Sequence, residues 1–217
     1  MFIIKEMIKR ILYKLGWEIS IDWSSRVREL GPESVYDSRT LKRKEITTDQ
    51  NKVYYQLMNA ELSPGKVKSV LDFGCGIGRH YKLLSSLNCL CDGAQILGFD
   101  PTTEMLEFAQ KEPYFEVFDE FKYEHRYDLV FCHMVLGGLN DQDMKIALND
   151  MVRSLSVDGR VFLVEAVNDD SPRLHSKWRA RNSKSYMPES PGFEWTIAGE
   201  VFENDDCLKV FVGRKIG

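Results

Sequence analysis

The sequence predicts an α/β fold in which helices cover both faces of a mostly parallel sheet that ends in an antiparallel hairpin. Three observations predict it. From residue 66 onward, short apolar runs alternate with stretches of helical periodicity, and each run is continuously apolar, as in parallel strands covered on both faces. A glycine-rich turn follows the first of these runs. The last two β-rich runs, 194–203 and 207–215, are joined by Asn204-Asp205-Asp206, which is a hairpin signal.

The elements of this fold follow one another in a regular order. A helix over 49–62 precedes the sheet and ends at Ser63-Pro64-Gly65. The predicted strands are Val67–Phe73, Gln95–Phe99, Tyr114–Phe118, Tyr127–Cys132 and Arg160–Val167. The helices between them are Gly78–Leu87, Thr102–Lys111 and Asp141–Leu155, and residues 88–94 form a loop. Residues 49–217 are therefore one domain.

Residues 1–48 are predicted to be an extension to this domain. Residues 1–15 carry apolar side chains at the spacing of one helix face, with Lys5, Lys9, Arg10 and Lys14 between them. A basic amphipathic helix of this kind can lie on the inner face of a membrane, or it can pack on the domain or on a second subunit. Residues 17–48 are polar and predicted to be irregular.

Composition restricts the class of protein. The chain has 217 residues, of which 43% are hydrophobic and 29% charged, as in an ordinary soluble domain. Its net charge of −4 argues against a general nucleic-acid-binding protein, so no nucleic-acid partner is expected. The five cysteines form no C-x-x-C pair, which favours a reducing cytoplasm and predicts no metal site.

The glycine-rich turn after the first strand is the most informative motif. Gly74, Gly76 and Gly78 follow Asp72, and glycines at such a turn let a ligand approach the backbone at a helix N-terminus. Arg79 stands where the dinucleotide fingerprint G-x-G-x-x-G has its last glycine. A carboxylate beside the loop repels a pyrophosphate but suits an ammonium group. The charges therefore favour a zwitterionic cofactor over NAD.

Asp100 ends the second strand and is followed by Pro101. A carboxylate at this edge of the sheet can bind two vicinal hydroxyls of a cofactor. The alternative is that Asp100 is the N-cap of the helix predicted over Thr102–Lys111.

Five segments in order resemble the motifs of the class I S-adenosylmethionine-dependent methyltransferases: Val70–Gly78, Gly98–Pro101, Phe118–Glu120, Tyr127–Cys132 and Leu155–Val164. The resemblance implies a Rossmann-like three-layer α-β-α sandwich with a seven-stranded sheet, and S-adenosylmethionine as cofactor. It implies that Asp100 holds the ribose hydroxyls and that Asp119 accepts from the adenine amino group. The cofactor-binding residues expected from the motifs are Asp72, Gly74, Cys75, Gly76, Gly78, Asp100, Pro101, Asp119, Glu120 and Cys132.

His133 is the candidate catalytic residue. Many members of the family carry a histidine shortly after the fourth strand, but here Val135-Leu136 is followed by Gly137-Gly138. His133 lies instead at the carboxyl end of that strand. It is either a general base or a group that hydrogen-bonds the cofactor or the backbone.

The segment over about 168–192 is an insertion that, in the family, often covers the substrate. Its part Ser171–Met187 contains no acidic residue. The candidate substrate-binding residues in it are Arg173, Lys177, Arg179 and Arg181. Such cations can bind an anionic acceptor, or they can form a solvated basic helix, with RNA a weaker third option.

These observations predict methyl transfer to an oxygen of a small or glycan-linked acceptor, with anionic, phosphorylated acceptors among the candidates. A loose similarity to methyltransferases encoded with surface-polysaccharide pathways suggests that setting. Two alternatives stay open. One is a non-catalytic S-adenosylmethionine-binding scaffold. The other is an NAD-dependent reductase, against which Arg79 and the lack of a Y-x-x-x-K pair argue.

Overall fold

The structure is a computed structural model of the chain. It describes residues 23–32, 48–169, 173–174, 179–203 and 206–216. The amphipathic helix predicted over residues 1–15 lies outside the described residues, as does Lys177.

A seven-stranded sheet forms the centre of the domain, as the sequence predicts. Its strands are β1 (Val67–Phe73), β2 (Leu90–Phe99), β3 (Glu116–Phe118), β4 (Tyr127–His133), β5 (Leu155–Val167), β8 (Phe193–Glu203) and β9 (Asp206–Lys215). Their spatial order is β3-β2-β1-β4-β5-β9-β8. The first five strands are parallel, and β9 pairs antiparallel with both β5 and β8. Because the chain order reverses beside β1, a crevice opens between β1 and β4 at the carboxyl edge.

Helices cover both faces of the sheet. They are α1 (Trp23–Leu30), α2 (Thr48–Glu61), α3 (Tyr81–Ser85), α4 (Thr103–Ala109) and α5 (Asp141–Ser154). Two 3₁₀ turns, Leu136–Gly138 and Ser183–Tyr186, and a small hairpin of β6 (Arg173–Leu174) and β7 (Arg179–Ala180) complete the described elements.

The core has two parts, one on each face. Met144, Leu148 and Met151 of α5 pack with one face of the sheet, and Tyr54 and Met58 of α2 pack with the other. Side chains of β4 alternate between the two parts, as neighbouring residues of a strand must. The sheet is therefore the middle of three layers.

One helix lies where the sequence predicts irregular structure. Trp23–Leu30 forms α1, and its Val27 is buried with Ile77 of the glycine turn and Met105 of α4. The helical pattern is too short to stand out from the polar residues around it. Its burial against the domain stabilises the helix.

Two other predictions were wrong in extent. The helix predicted over Gly78–Leu87 is helical only at Tyr81–Ser85, because Gly78 has φ +82° and closes a turn to Cys75. The loop predicted over 88–94 is largely strand, since β2 begins at Leu90 and continues through an irregularity in its pairing with β1.

Strand boundaries also differ from the sequence prediction. β5 begins at Leu155, directly after α5, and reaches Arg160 through an irregularity in its pairing with β4. A Cβ at Gly159 would lie 2.7 Å from the carbonyl oxygen of Tyr127. Only glycine therefore fits this close approach of two backbones.

In the part of the chain that the structure describes, no helix is long and apolar enough to cross a membrane.

Candidate functional site

The glycine turn is shaped by backbone conformation and by space. Gly74, Gly76 and Gly78 have φ values of +71°, +52° and +82°. The N–H groups of Gly74 and Cys75 both donate to the carbonyl oxygen of Phe99, at 2.7 and 2.9 Å, and so fix the turn to the end of β2. A Cβ at Gly74 would lie 2.3 Å from Cγ2 of Val135. Glycine is therefore required at Gly74 both for its φ and for packing against the segment after β4.

Asp100 joins the glycine turn to the end of β2. Its Oδ2 accepts from the N–H of Gly76 at 3.0 Å, and its Oδ1 accepts from the N–H of Thr102 at 2.9 Å. Thr102, and not Asp100, is the N-cap of α4. Burial raises the pKa of Asp100 to about 6, although the hydrogen bonds from Thr102 and Gly76 lower it. Asp100 is therefore not the N-cap that the sequence allowed as an alternative. It links two loops of the site.

Asp72 is a buried carboxyl at the end of β1, with 1% of its surface exposed. Its Oδ2 accepts a 2.7 Å hydrogen bond from the hydroxyl of Tyr114. Burial raises the pKa of Asp72 to about 7, the Tyr114 hydrogen bond lowers it, and the charge of Asp100 raises it. No local pattern connects Tyr114 with Asp72, because the two residues are 42 positions apart in the chain.

Asp119 and Glu120 directly follow β3 and are exposed, as is Pro101 after β2. The N–H of Asp100 donates to the carbonyl oxygen of Phe118 at 3.2 Å, which holds the ends of β2 and β3 together. The acidic residues predicted to contact a cofactor therefore lie at one edge of the sheet.

The two cysteines of the predicted site are core residues. Cys75 is buried with Leu106 and Ala109 of α4, and Cys132 is buried in the core beneath α5. Burial raises the pKa of both thiols well above its ordinary value, so both remain protonated. Their side chains pack, and only their backbones are placed to line the crevice.

His133 ends β4, and its ring contacts side chains from two other elements. Its Nε2 lies 3.2 Å from the hydroxyl oxygen of Tyr54 in α2. Its ring centroid lies 4.6 Å from that of His80. Burial lowers the pKa of His133 to about 3, and the charge of Arg79 lowers it further. The imidazole is therefore neutral at physiological pH.

The sequence analysis did not identify His80 or Tyr54 as part of the site. His80 is the second residue after the last glycine of the turn, with 6% of its surface exposed. Its Nε2 is buried and has no hydrogen-bond partner among the described residues. Burial and the charges of His133 and Arg79 lower its pKa well below the ordinary value. Its position directly after the glycine turn was the one available signal.

The segment after β4 is held by a buried carboxylate. Both oxygens of Glu165 in β5 accept from backbone N–H groups: Oε1 from Val135 and Leu136 at 2.7 and 2.6 Å, and Oε2 from Gly137 at 3.1 Å. Met134 has a positive φ of +54°, which is unusual for a residue with a side chain. Glu165 is the one acidic residue in the apolar run Val161–Val167, and an acid in such a run is the sequence signal for a buried, hydrogen-bonded carboxylate.

Two of the predicted substrate-binding arginines, Arg179 and Arg181, lie in the interior. Arg181 has 6% of its surface exposed, and its guanidinium donates to Oδ1 of Asp141 at 3.0 Å and to the carbonyl oxygens of Leu136 and Leu139 at 2.9 and 2.6 Å. Arg179 in β7 is also buried. For Arg173 the structure describes the backbone in β6 but not the side chain. Arg181 thus fixes the segment after β4, which is a positional role.

A groove lies between α5 and the insertion, on the face away from Tyr54. Its lining includes Met144, Leu148 and Trp195, with Lys145 and Lys184 among its charged residues. None of its lining residues belongs to the glycine turn or to the ends of β1 and β2. The groove is therefore separate from the candidate cofactor site.

The chain is similar to known proteins both in sequence family and in fold. The sequence model of a family described as "Methyltransferase domain" matches residues 49–196. None of the curated proteins compared with the chain is a significant match.

Three solved structures illustrate the structural similarity. The magnesium protoporphyrin IX methyltransferase of Synechocystis PCC 6803 has a TM-score of 0.64 at 15% identity, covering 91% of this chain and 99% of its own. The 1,6-didemethyltoxoflavin-N1-methyltransferase of Burkholderia thailandensis has a TM-score of 0.61 at 15% identity, covering 92% of this chain and 93% of its own. An amino pentose methyltransferase of Micromonospora echinaspora has a TM-score of 0.59 at 15% identity, covering 83% of this chain and 96% of its own. At this identity the likeness shows the fold.

Proposed function

The chain belongs to the methyltransferase-domain family, and on this premise we propose that it transfers the methyl group of S-adenosylmethionine to an oxygen of a small or glycan-linked acceptor. The observation that carries the proposal is the pair of buried carboxyls, Asp72 and Asp100, beside the glycine turn. Burial raises the pKa of both carboxyls, and a cation bound beside them would favour their charged form. S-adenosylmethionine brings both an ammonium and a sulfonium.

The residues at this edge of the sheet fit that cofactor. Each oxygen of Asp100 accepts one backbone N–H, and a carboxylate oxygen has a second acceptor site that a ribose hydroxyl can use. Asp119 is exposed at the end of β3, where an adenine amino group can reach it. The glycine turn offers backbone N–H groups without side chains in the way.

When bound, S-adenosylmethionine supplies a methyl group that is already activated. The chain therefore has to hold the acceptor in line with it, exclude water, and receive a proton where the acceptor is a hydroxyl. His133, at the carboxyl end of β4, acts either as the base or as an orienting group.

The acceptor side of the proposal rests on the basic residues of the insertion. Arg173, Lys177 and Arg179 stay in the proposed set that binds an anionic acceptor. We leave Arg181 out of that set because its donors bind within the protein. The structural neighbours act on a porphyrin, an amino pentose and a toxoflavin precursor, so the fold is compatible with many acceptors. A cytoplasmic role in surface-polysaccharide synthesis, with residues 1–15 at the membrane, is part of this proposal.

Calorimetry and an acceptor screen test the proposal. S-adenosylmethionine and S-adenosylhomocysteine should bind, and NAD should not. Sugars and sugar phosphates are then incubated with the donor, and S-adenosylhomocysteine formation is measured. Tight NAD binding without donor binding would overturn the cofactor assignment. Donor binding with no turnover on any acceptor would favour a non-catalytic binding scaffold.

A further inference from the structure

Three side chains from separate parts of the chain meet at the carboxyl end of β4. We call Tyr54, His80 and His133 the histidine cluster. The ring centroids of His80 and His133 are 4.6 Å apart, and those of Tyr54 and His133 are 5.4 Å apart. Phe131 packs beside all three rings. The proposed function has so far used only His133.

One ring nitrogen of His133 already has a partner within the protein. Its Nε2 lies 3.2 Å from the hydroxyl oxygen of Tyr54, within hydrogen-bond distance. A proton acceptor needs a nitrogen lone pair that is free to face the substrate. His133 is therefore better suited to hold a neighbouring group in place than to take a proton.

His80 differs in this respect. Its Nε2 is buried and has no hydrogen-bond partner among the described residues. A buried polar atom without a partner destabilises the folded protein, so its retention calls for an explanation. The same atom sits in a ring that packs against His133, two residues beyond the glycine turn. A ligand held between the glycine turn and the end of β4 is the natural partner for it.

Resting on the proposed function, we propose that Nε2 of His80 receives the proton of an acceptor hydroxyl during methyl transfer, and that His133 and Tyr54 are positioning residues for it. The hydroxyl oxygen forms a bond to the methyl carbon while the carbon–sulfur bond breaks. The sulfur keeps the electron pair of that bond and becomes a neutral thioether. The hydroxyl proton moves to Nε2, and solvent removes it when the products leave.

The charges in the site suit this step. The positive charge passes from sulfur to the imidazole, so the net charge of the crevice does not change. A neutral ring is also the form that tolerates a sulfonium and the Arg79 charge nearby. Even a weak base is sufficient, because an oxygen that is gaining a methyl group becomes a strong acid.

Kinetics of three variants test the proposal, with the hydroxyl acceptor that the screen identifies. His80→Gln should lower kcat at least about 100-fold, and donor affinity by calorimetry should stay unchanged. Added imidazole should restore part of the rate of His80→Ala, as it does when a proton-accepting ring has been removed. Tyr54→Phe should cause a smaller loss. His125→Gln, at a half-buried histidine outside the cluster, is the matched control.

A second measurement does not depend on turnover. Nitrogen NMR of the histidine-labelled protein with S-adenosylhomocysteine should show that the rings of His80 and His133 stay neutral at about pH 5, where an ordinary imidazole is mostly charged. Glycerol, used as a hydroxyl probe, should shift the His80 Nε2 signal and leave that of His125 in place. Tyr54→Phe should shift the His133 signal.

The outcomes separate the two proposals. Failure of the donor to bind would overturn the proposed function. Normal kcat in His80→Gln, or a His80 signal that glycerol does not move, would overturn the assignment of His80. A kcat loss in His133→Gln with none in His80→Gln would make His133 the base.

Discussion

Asp72 and Asp100 place two carboxyl groups where water cannot fully solvate them. Burial raises the pKa of Asp72 to about 7 and that of Asp100 to about 6. Holding a carboxyl group in such a place costs stability once it is ionised. Two acids held at the same edge therefore indicate a ligand that brings positive charge.

Asp72→Asn should stabilise the ligand-free protein, and more so at high pH. The pKa of Asp72 is 3.8 unfolded and about 7 folded, so its contribution to stability is present at low pH and is lost as pH rises from about 4 to 7. Thermal unfolding should show a gain of roughly 2–4 kcal/mol at about pH 8 and little at about pH 4. Asp119→Asn, at an exposed acid, is the control. An equal effect at both pH values would contradict the burial argument.

Donor affinity should rise with pH. Protonation of Asp72 and Asp100 removes the negative charge that attracts the donor's ammonium, so binding should weaken as pH falls from about 8 to about 5. Calorimetry with S-adenosylhomocysteine, which keeps the ammonium, measures this. Asp72→Asn should flatten the upper part of the profile. A flat profile in the unmodified protein would show that neither carboxyl titrates on binding.

Asp100→Ala should weaken donor binding. The change removes both acceptors for the ribose hydroxyls and frees the N–H groups of Gly76 and Thr102. Loss of charge-assisted hydrogen bonds costs about 1.5–3 kcal/mol, or roughly ten- to a hundredfold in affinity. Glu107→Ala, on α4, is the matched control. Unchanged affinity in a folded Asp100→Ala protein would restrict Asp100 to a structural role.

At the scale of elements, the segment after β4 is fixed from two sides. Glu165 of β5 accepts three of its N–H groups, and Arg181 of the insertion donates to two of its carbonyl oxygens. The insertion is in turn fixed by Asp169, which accepts from Ser183 and from Lys209 of β9. The insertion therefore holds the segment after β4 in place.

Arg181→Ala should destabilise the fold rather than remove an acceptor contact. It would remove the guanidinium donor from the partly buried carbonyl oxygen of Leu139 and one of the two donors to the carbonyl oxygen of Leu136, at about 1.5–3 kcal/mol. Chemical denaturation measures the loss, and Lys184→Ala, an exposed cation of the same insertion, should cause little. Normal stability with a raised acceptor KM would instead return Arg181 to the acceptor-binding set.

The sequence predicted most elements because each carries a local signal. Continuous apolar runs predict the strands. Asn140, as a polar N-cap followed by acidic residues in the first helical turn, marks the start of α5. The helix predicted over Gly78–Leu87 is shorter in the structure because the N–H of Gly78 closes the glycine turn on the carbonyl oxygen of Cys75, and α3 begins only after its N-cap, His80. A backbone turn that overrides helical periodicity is visible only when its hydrogen bonds are known.

At the scale of the molecule, the charge is unevenly distributed. The chain carries −4 in total, yet Lys5, Lys9, Arg10 and Lys14 lie within residues 1–15. Val27 of the same extension packs on Ile77 of the glycine turn. Helix α1 is thus attached to the domain close to the proposed donor site.

Deleting residues 1–15 should weaken association with anionic vesicles and leave donor affinity intact. Each cation near a charged membrane contributes about 1 kcal/mol, so four can hold the protein on the surface at low salt. Sedimentation with vesicles of anionic and neutral lipid measures this, the neutral vesicles being the control. If the full chain does not sediment with anionic vesicles, residues 1–15 pack on protein.

By itself the sequence determined the sheet, the glycine turn and the acids at the strand ends, because each depends on neighbouring residues in the chain. Only the tertiary structure decided which side chains meet in the crevice. Tyr54 reaches His133 across 79 positions, and Arg181 reaches Leu136 across 45. These pairs depend on β1 lying beside β4 and on where the insertion folds back. No local pattern encodes those distances, since they result from how the layers pack.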